Sequence, residues 1–321
     1  RHNVAFAALV LPRDYSRRML AAARDPDVPP ASVEILASSA AGSLARAAGV
    51  QAATAMAETA TVSIFRRLAP ASARPAHDVV QVRTTEAVAL GAKSARGLAP
   101  FYFALVLGLA GFLGAVIVNL AVEVASGRLA VELIGRRLEH ASLGLSNAAL
   151  WRAKLVLVFL LALLAGVLQT VLAVAVLGMS ATNPVALALF AVLGVAATAL
   201  TTLAFLVPFG LAGSLAGVLF VTIFGVPSSG GPYPLELVPG FFRFLGDWLP
   251  LRYMTDGSRA LVFLDGQLAA GLGRALWVLA AYAVGGALAS GAIAVALDRR
   301  LHVPDEIAAP QLEPAVARPN E

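Results

Sequence analysis

Polar and apolar residues interleave over the first hundred positions; beyond them, apolar residues run almost unbroken through several long windows. The stretch NVAFAALVLP (3–12) is aliphatic and stops at Pro12, the pattern of a buried strand. RDYSRRMLAAAR reads as a helix closed by DPDVPP, and ASVEILAS (31–38) sets Val33 and Ile35 at strand spacing. From Ala40 to Leu68 the chain is alanine-rich, with Leu44, Val50, Met56, Val62 and Phe65 spread along it, which predicts one long helix or two. HDVVQVRTTE (77–86) predicts a third strand. The order β-α-β-α-β predicts a small α/β domain over residues 1–97.

Past that point the chain changes solvent. Between Arg96 and Glu123 there is no charge, and the run is long enough to span about 30 Å of hydrocarbon. Phe101, Tyr102 and Phe103 form an aromatic belt at its start. A charged stretch (123–154) follows, then predicted spans at 155–178, 185–206, a shorter one at 211–226, and 275–297. The connection VPFG between the third and fourth is tight. The fold class expected is a polytopic α-helical membrane protein with five spans in this chain, its membrane domain covering 98–300. Residues 301–321 are polar and proline-punctuated, and are expected to be a disordered tail.

The segment FGVPSSGGPYPLELVPGFFRFLGDWLP (224–250) fits neither a loop nor a span. Pro227 ends the apolar run, and Ser228, Ser229, Gly230 and Gly231 form a turn without large side chains. Pro232, Tyr233, Pro239, Phe241 and Phe242 continue it as an interfacial mixture, and prolines leave no run long enough to cross. Residues 227–273 are therefore expected to be a re-entrant loop of two short helices lying over the spans as a gate.

Composition fits the membrane reading: 59% of the 321 residues are hydrophobic and 13% charged, with mean hydropathy +0.80. The net charge is +5, and Lys93 and Lys154 are the only lysines. Scattered arginines beside apolar runs indicate topology rather than nucleic acid. Arg128, Arg136, Arg137, Arg152 and Lys154 lie in the 123–154 connection, and Arg299 and Arg300 close the last span. With five spans both segments share one side, which the positive-inside rule makes cytoplasmic. Residues 1–97 and 227–273 would then lie outside, which implies an upstream span and six in all.

With no cysteine, thiolate chemistry is excluded. There is no G-x-x-x-x-G-K-[ST] motif, and His2, His77, His140 and His302 lie far apart, so no ATPase, metal site or cofactor is expected and the chain is not expected to be an enzyme. The span centres carry no ionisable group, which argues against a self-powered carrier. The polar residues left in the spans include Asn119, Gln169, Thr170, Thr198, Thr201 and Thr202. They serve either interhelical hydrogen bonding or a weakly polar pathway for an amphipathic substrate. Gly108, Gly111 and Gly114, and Gly210, Gly213 and Gly217, permit close helix approach, within one chain or in a homodimer. RLAVELIGRRLEH (128–140) predicts an amphipathic helix with Leu129, Leu133 and Leu138 on one face and Arg136, Arg137 and Glu139 on the other, a candidate interfacial anchor.

VAFAALVLPRDYSRRMLAAA, GLAPFYFALVLGLAGFLGA and FGVPSSGGPYPLELVPGFFRFLGDWLPLRYMTDGSRALVF together resemble the YhgE/Pip proteins and their DUF3533 relatives, which are related to ABC-2-type exporters. The resemblance implies six spans around an extracytoplasmic domain, and export or envelope association. It also implies that 128–140 is the coupling helix on which a separate ATPase docks. Two functions follow as expectations: an ABC-2-like permease exporting an apolar or amphipathic molecule from the lipid bilayer, or an envelope receptor or scaffold without transport activity.

Overall fold

The structure is a computed structural model that describes residues 6–68, 78–87, 93–129, 131–133, 136–138 and 144–301. Its first part comprises β1 (Ala7–Val10), α1 (Tyr15–Arg24), β2 (Ala31–Ala37), α2 (Ser43–Leu68) and β3 (Val80–Glu86). Strand β2 is central, antiparallel to β1 with Ala7 opposite Ala37, and parallel to β3 with Ala31 opposite Val80. Its alternate residues Ala31, Val33, Ile35 and Ala37 are buried, as the two-residue period of a strand requires. Met19, Ala22 and Ala23 of α1 pack into the same cluster. The alanine-rich stretch is one helix, and the Tyr15 hydroxyl meets Thr61 Oγ1 at 2.7 Å to join α1 to α2.

The second part is a helical bundle. Helix α3 (Ala99–Ala125) is followed by α4 (Asn147–Val171), whose last turn widens into a π segment reaching Val176. Helix α5 (Pro184–Phe209) begins with Asn183 Oδ1 accepting the Ala186 N–H at 3.0 Å and Pro184 in its first turn. It ends near Pro208 at Gly210, whose φ of +56° and ψ of −141° turn the chain back. The returning limb contains α6 (Gly213–Val218), a π segment and α7 (Gly225–Ser228). Two short helices, α8 (Gly240–Gly246) and α9 (Pro250–Phe263), precede α10 (Leu272–Leu301).

Helix α5 is the hub, with α3, α4 and α10 packed around it. Each of the three approaches α5 through a glycine. A Cβ added at Gly111 of α3 would lie 2.6 Å from the Val195 carbonyl oxygen, one at Gly166 of α4 2.6 Å from Val192 N, and one at Gly286 of α10 2.6 Å from the Leu200 carbonyl carbon. Backbone contacts this close are how helices gain packing energy in lipid, where apolar surface gains little by leaving the solvent.

The structure bears on two expectations. Among the described residues, four helical stretches are long and apolar enough to cross a membrane, where five spans were expected: Ala99–Ala125, Asn147–Val176, Pro184–Ser228 and Leu272–Arg300. The expected span at 211–226 is the returning limb of the third stretch. That limb runs from Gly210 and Leu211 at the hairpin-end cavity back to Ser229 and Gly230 at the domain end, so the third stretch makes two passes along the bundle. The predicted helix at 128–140 is instead a pair of antiparallel strands, β4 (Val131–Leu133) and β5 (Arg136–Leu138), with Val131 opposite Leu138. Val131-Glu132-Leu133 alternates with a period of two as readily as it fits a helix face. Glu139 lies outside the described residues, as do the four histidines and the 301–321 tail beyond Leu301.

The bundle has two distinct ends. At the hairpin end the last turn of α10 meets the start of α4: Asp298 accepts the Asn147 N–H at 2.6 Å and the Ala148 N–H at 2.9 Å. At the domain end, the turn after α7 touches the sheet domain, with Gly231 O 3.6 Å from a Cβ built at Gly42.

Candidate functional site

Each end of the bundle holds a polar cavity. The one at the domain end, of about 430 Å³, is roofed by Phe6 and walled by the turn after α7, by α9 and by the start of α10. Its charged lining comes from the sequence RYMTDGSR: Arg252, Asp256 and Arg259 stand at i, i+4 and i+7, which places them on one face of α9. The opposite face carries Leu251, Met254 and Leu261 into the bundle core. One short amphipathic helix therefore seals the bundle and presents charge above it.

The arginines have different tasks. Arg259 is buried and donates to the carbonyls of Gly230 at 2.7 Å and Gly231 at 3.3 Å, with Asp256 at 3.6 Å. Arg252 reaches Asp247 at 2.6 Å and Asp256 at 3.9 Å. Arg274 donates to the Tyr253 hydroxyl at 3.2 Å and lies over that ring at 5.3 Å. The Tyr253 hydroxyl in turn donates to the Asp247 carbonyl at 2.7 Å. Burial pushes the Asp256 carboxyl up despite the opposing pull of Arg259, Arg252 and Arg274. Burial likewise pushes Arg259 down, with Asp256 opposing.

The turn itself is tightly seated. Ser228, Ser229 and Gly231 are buried, and Ser229 Oγ donates to the Val226 carbonyl at 2.7 Å. Gly230 has φ +64°, and a Cβ on Gly231 would overlap the Phe101 ring. Pro227 lies in α7, Pro232 is half-buried and Tyr233 exposed. Pro239 precedes α8, on which Phe241 stacks edge-on against Phe224 at 6.2 Å and Phe242 at 5.4 Å.

The cavity at the hairpin end, of about 240 Å³, lies between α3, α4 and the turn after α5. Lys154 and Glu123, read from sequence as parts of a connection, are here a side-chain pair at 2.5 Å inside the bundle, with side-chain exposures of 5% and 24%. Asn119, one turn inward on α3, is also buried in the lining, and its Oδ1 has no hydrogen-bond partner among the described residues. Arg128 closes the rim by donating to the Asn147 side chain at 2.5 Å and the Leu145 carbonyl at 2.7 Å.

The other polar candidates in the spans are placed elsewhere. Thr170, Thr198, Thr201 and Thr202 each donate to a carbonyl of the preceding turn, at 2.7 to 3.0 Å for the four-residue bonds. They hydrogen-bond within their own helices rather than across them. Gln169 does cross, donating to the Phe103 carbonyl at 2.8 Å. Of the six, Asn119 alone lines either cavity. The side chains of Arg136 and Arg137 lie outside the described part of the structure.

Four apolar stretches, α5 the hub among them, frame these cavities, and the sequence model described as ABC-2 family transporter protein matches residues 2–292. The chain belongs to that family. No curated protein and no solved structure matches it. Membership makes the chain a membrane-embedded component of transport rather than a hydrolytic enzyme. The match runs through both the sheet domain and the bundle.

Proposed function

We propose that the chain is the permease subunit of an exporter that moves an apolar or amphipathic molecule, powered by a separate ATPase. The observation that carries this reading is the pair of cavities, each with polar and charged lining, at opposite ends of a bundle whose middle carries no ionisable side chain. The hairpin end would face the cytoplasm, since Arg128, Arg136, Arg137, Arg152, Arg299 and Arg300 gather in the segments at that end. The sheet domain and the 227–273 segment would then be extracytoplasmic in a multi-pass protein of a bacterial cell membrane. Within the family, the SSGGPYPLELVPGFF segment supports the narrower YhgE/Pip resemblance.

In this scheme the ATPase docks on the α3–α4 connection through Arg136 and Arg137. The molecule enters at the cavity lined by Asn119, Glu123 and Lys154, and leaves past the turn from Pro227 to Gly231. The chain has no cysteine, so a single introduced thiol is unique. Arg136→Cys and Arg137→Cys variants should cross-link to an ATPase subunit in intact membranes. Vesicles holding that pair should move a lipid-like fluorophore only with ATP. Absence of both results would favour the scaffold reading, in which the spans anchor a binding domain.

A further inference from the structure

The cavity at the domain end has a chemistry more specific than the export reading requires. Three guanidinium groups (Arg252, Arg259, Arg274) face two carboxylates (Asp247, Asp256), which leaves one net positive charge. Asp247 pairs with Arg252 outside the lining, and the lining's other acid, Glu236, is exposed at the rim, where solvent screens it.

The two carboxylates are already overcommitted. Asp247 Oδ1 sits 2.6 Å from Arg252 and 4.0 Å from Arg274, and Asp256 lies 3.9 Å from Arg252 and 3.6 Å from Arg259. Neither Asp256 distance is that of a hydrogen bond. Arg259 is held by the glycine carbonyls and is a structural residue of the turn. Arg252 and Arg274 are different. Each directs one of its N–H groups to a hydrogen-bond partner in the described residues, and a guanidinium carries five. Both line the cavity, with side-chain exposures of 21% and 64%. Phe6, Pro234, Leu235 and Leu268 add apolar wall beside the polar Ser229 and Tyr253.

A forked cation pair beside an apolar wall, in a space of about 430 Å³, matches an acidic headgroup followed by a hydrocarbon chain. We propose that this cavity binds an anionic amphiphile, its oxyanion held by Arg252 and Arg274 and its first methylenes lying along Leu235, Leu268 and Phe6. The inference deepens the export reading and rests on it for the direction of movement; the binding itself is measured without transport.

The test uses the full chain in phosphatidylcholine nanodiscs, titrated calorimetrically below micelle-forming concentrations. The probes are dodecyl phosphate, dodecylphosphocholine and inorganic phosphate. Dodecyl phosphate should bind at least tenfold more tightly than either of the others. Arg274→Gln should weaken it severalfold, Arg252→Gln/Arg274→Gln at least tenfold, and Arg274→Lys should recover part of the loss. Arg274 is exposed, so its variants report on binding even where the Arg252 change perturbs folding. Equal affinity for the zwitterion, or an unchanged affinity in the Arg274→Gln protein, overturns the proposal. Inorganic phosphate binding as tightly as dodecyl phosphate also overturns it, in favour of a free-oxyanion site. Loss of binding with ATP-driven movement intact rejects this site and leaves export standing; intact binding without movement does the reverse.

Discussion

Arg259 donates to the carbonyl of Gly230 at 2.7 Å, tying the middle of α9 to the turn that follows α7. That bond fixes where the turn after α7 sits relative to α9. The turn carbonyls are buried beside it, and without the guanidinium they would have no comparable charged donor.

Replacing Arg259 by Met should therefore loosen the segment. Removing one member of a buried charged cluster costs roughly 3 kcal/mol, because Asp256 keeps its charge beside fewer counter-ions. Thermal unfolding in detergent and protease cleavage between 229 and 239 read the effect. A variant as stable and as protected as the parent would mean the bond does not hold the turn.

Gly231 faces Phe101 so closely that any side chain overlaps the ring. Gly231→Val is expected to abolish transport while the protein still inserts into the membrane, since no span is altered. Pairing it with Phe101→Ala should restore part of the activity. Additive losses in the double variant would place the defect elsewhere than in this contact.

Lys154 and Glu123 form a buried pair 31 residues apart in sequence, on the facing ends of α4 and α3. Lys154→Met alone and Glu123→Gln alone should each destabilise by about 3 kcal/mol, since each leaves a partner unpaired in a poorly solvated place. The double variant should be more stable than either single one. A double-mutant cycle on the unfolding midpoint checks this; strict additivity would mean the pair does not interact.

Asp256 should confer a pH dependence of definite sign. Its folded carboxyl is pushed above the ordinary value, so ionisation is disfavoured in the folded protein relative to the unfolded chain. Its contribution to stability is complete below the ordinary carboxylate pKa, and is lost as pH rises through the folded one. Asp256→Asn should remove that component, giving a flatter profile above about pH 4. Identical pH profiles for the two proteins would contradict it.

Helix packing through glycine gives a further check. Gly286→Leu should disrupt the α10–α5 contact, because its Cβ position lies 2.6 Å from Leu200 backbone. Gly285→Leu, one residue away with nothing within 4 Å of its Cβ position, should be tolerated. Folded yield in detergent separates the two, and equal yields would refute the packing.

Part of this was legible along the chain. The strands around Val33 and Val80, the long apolar helices and the turn at Gly210 follow local signals that do not need the rest of the protein. The i, i+4, i+7 charges of RYMTDGSR mark a site face in sequence, less conspicuous than the glycines and aromatics upstream. The strands 131–133 and 136–138 fit a helix in sequence because short amphipathic runs satisfy both periods, and strand pairing, not propensity, decides between them.

The sequence by itself determined the solvent of each part, since hydropathy and length add up residue by residue and lipid demands long helices. It also set the proline-broken backbone of the 227–250 segment. Only the tertiary structure decided which polar groups meet: Lys154 with Glu123, Arg259 with Gly230, Asp298 with the first N–H groups of α4. Hydrogen bonds and desolvated charge pairs act over a few ångströms, so partners separated by 29 to 151 residues exist only once glycine-mediated packing has brought their helices together.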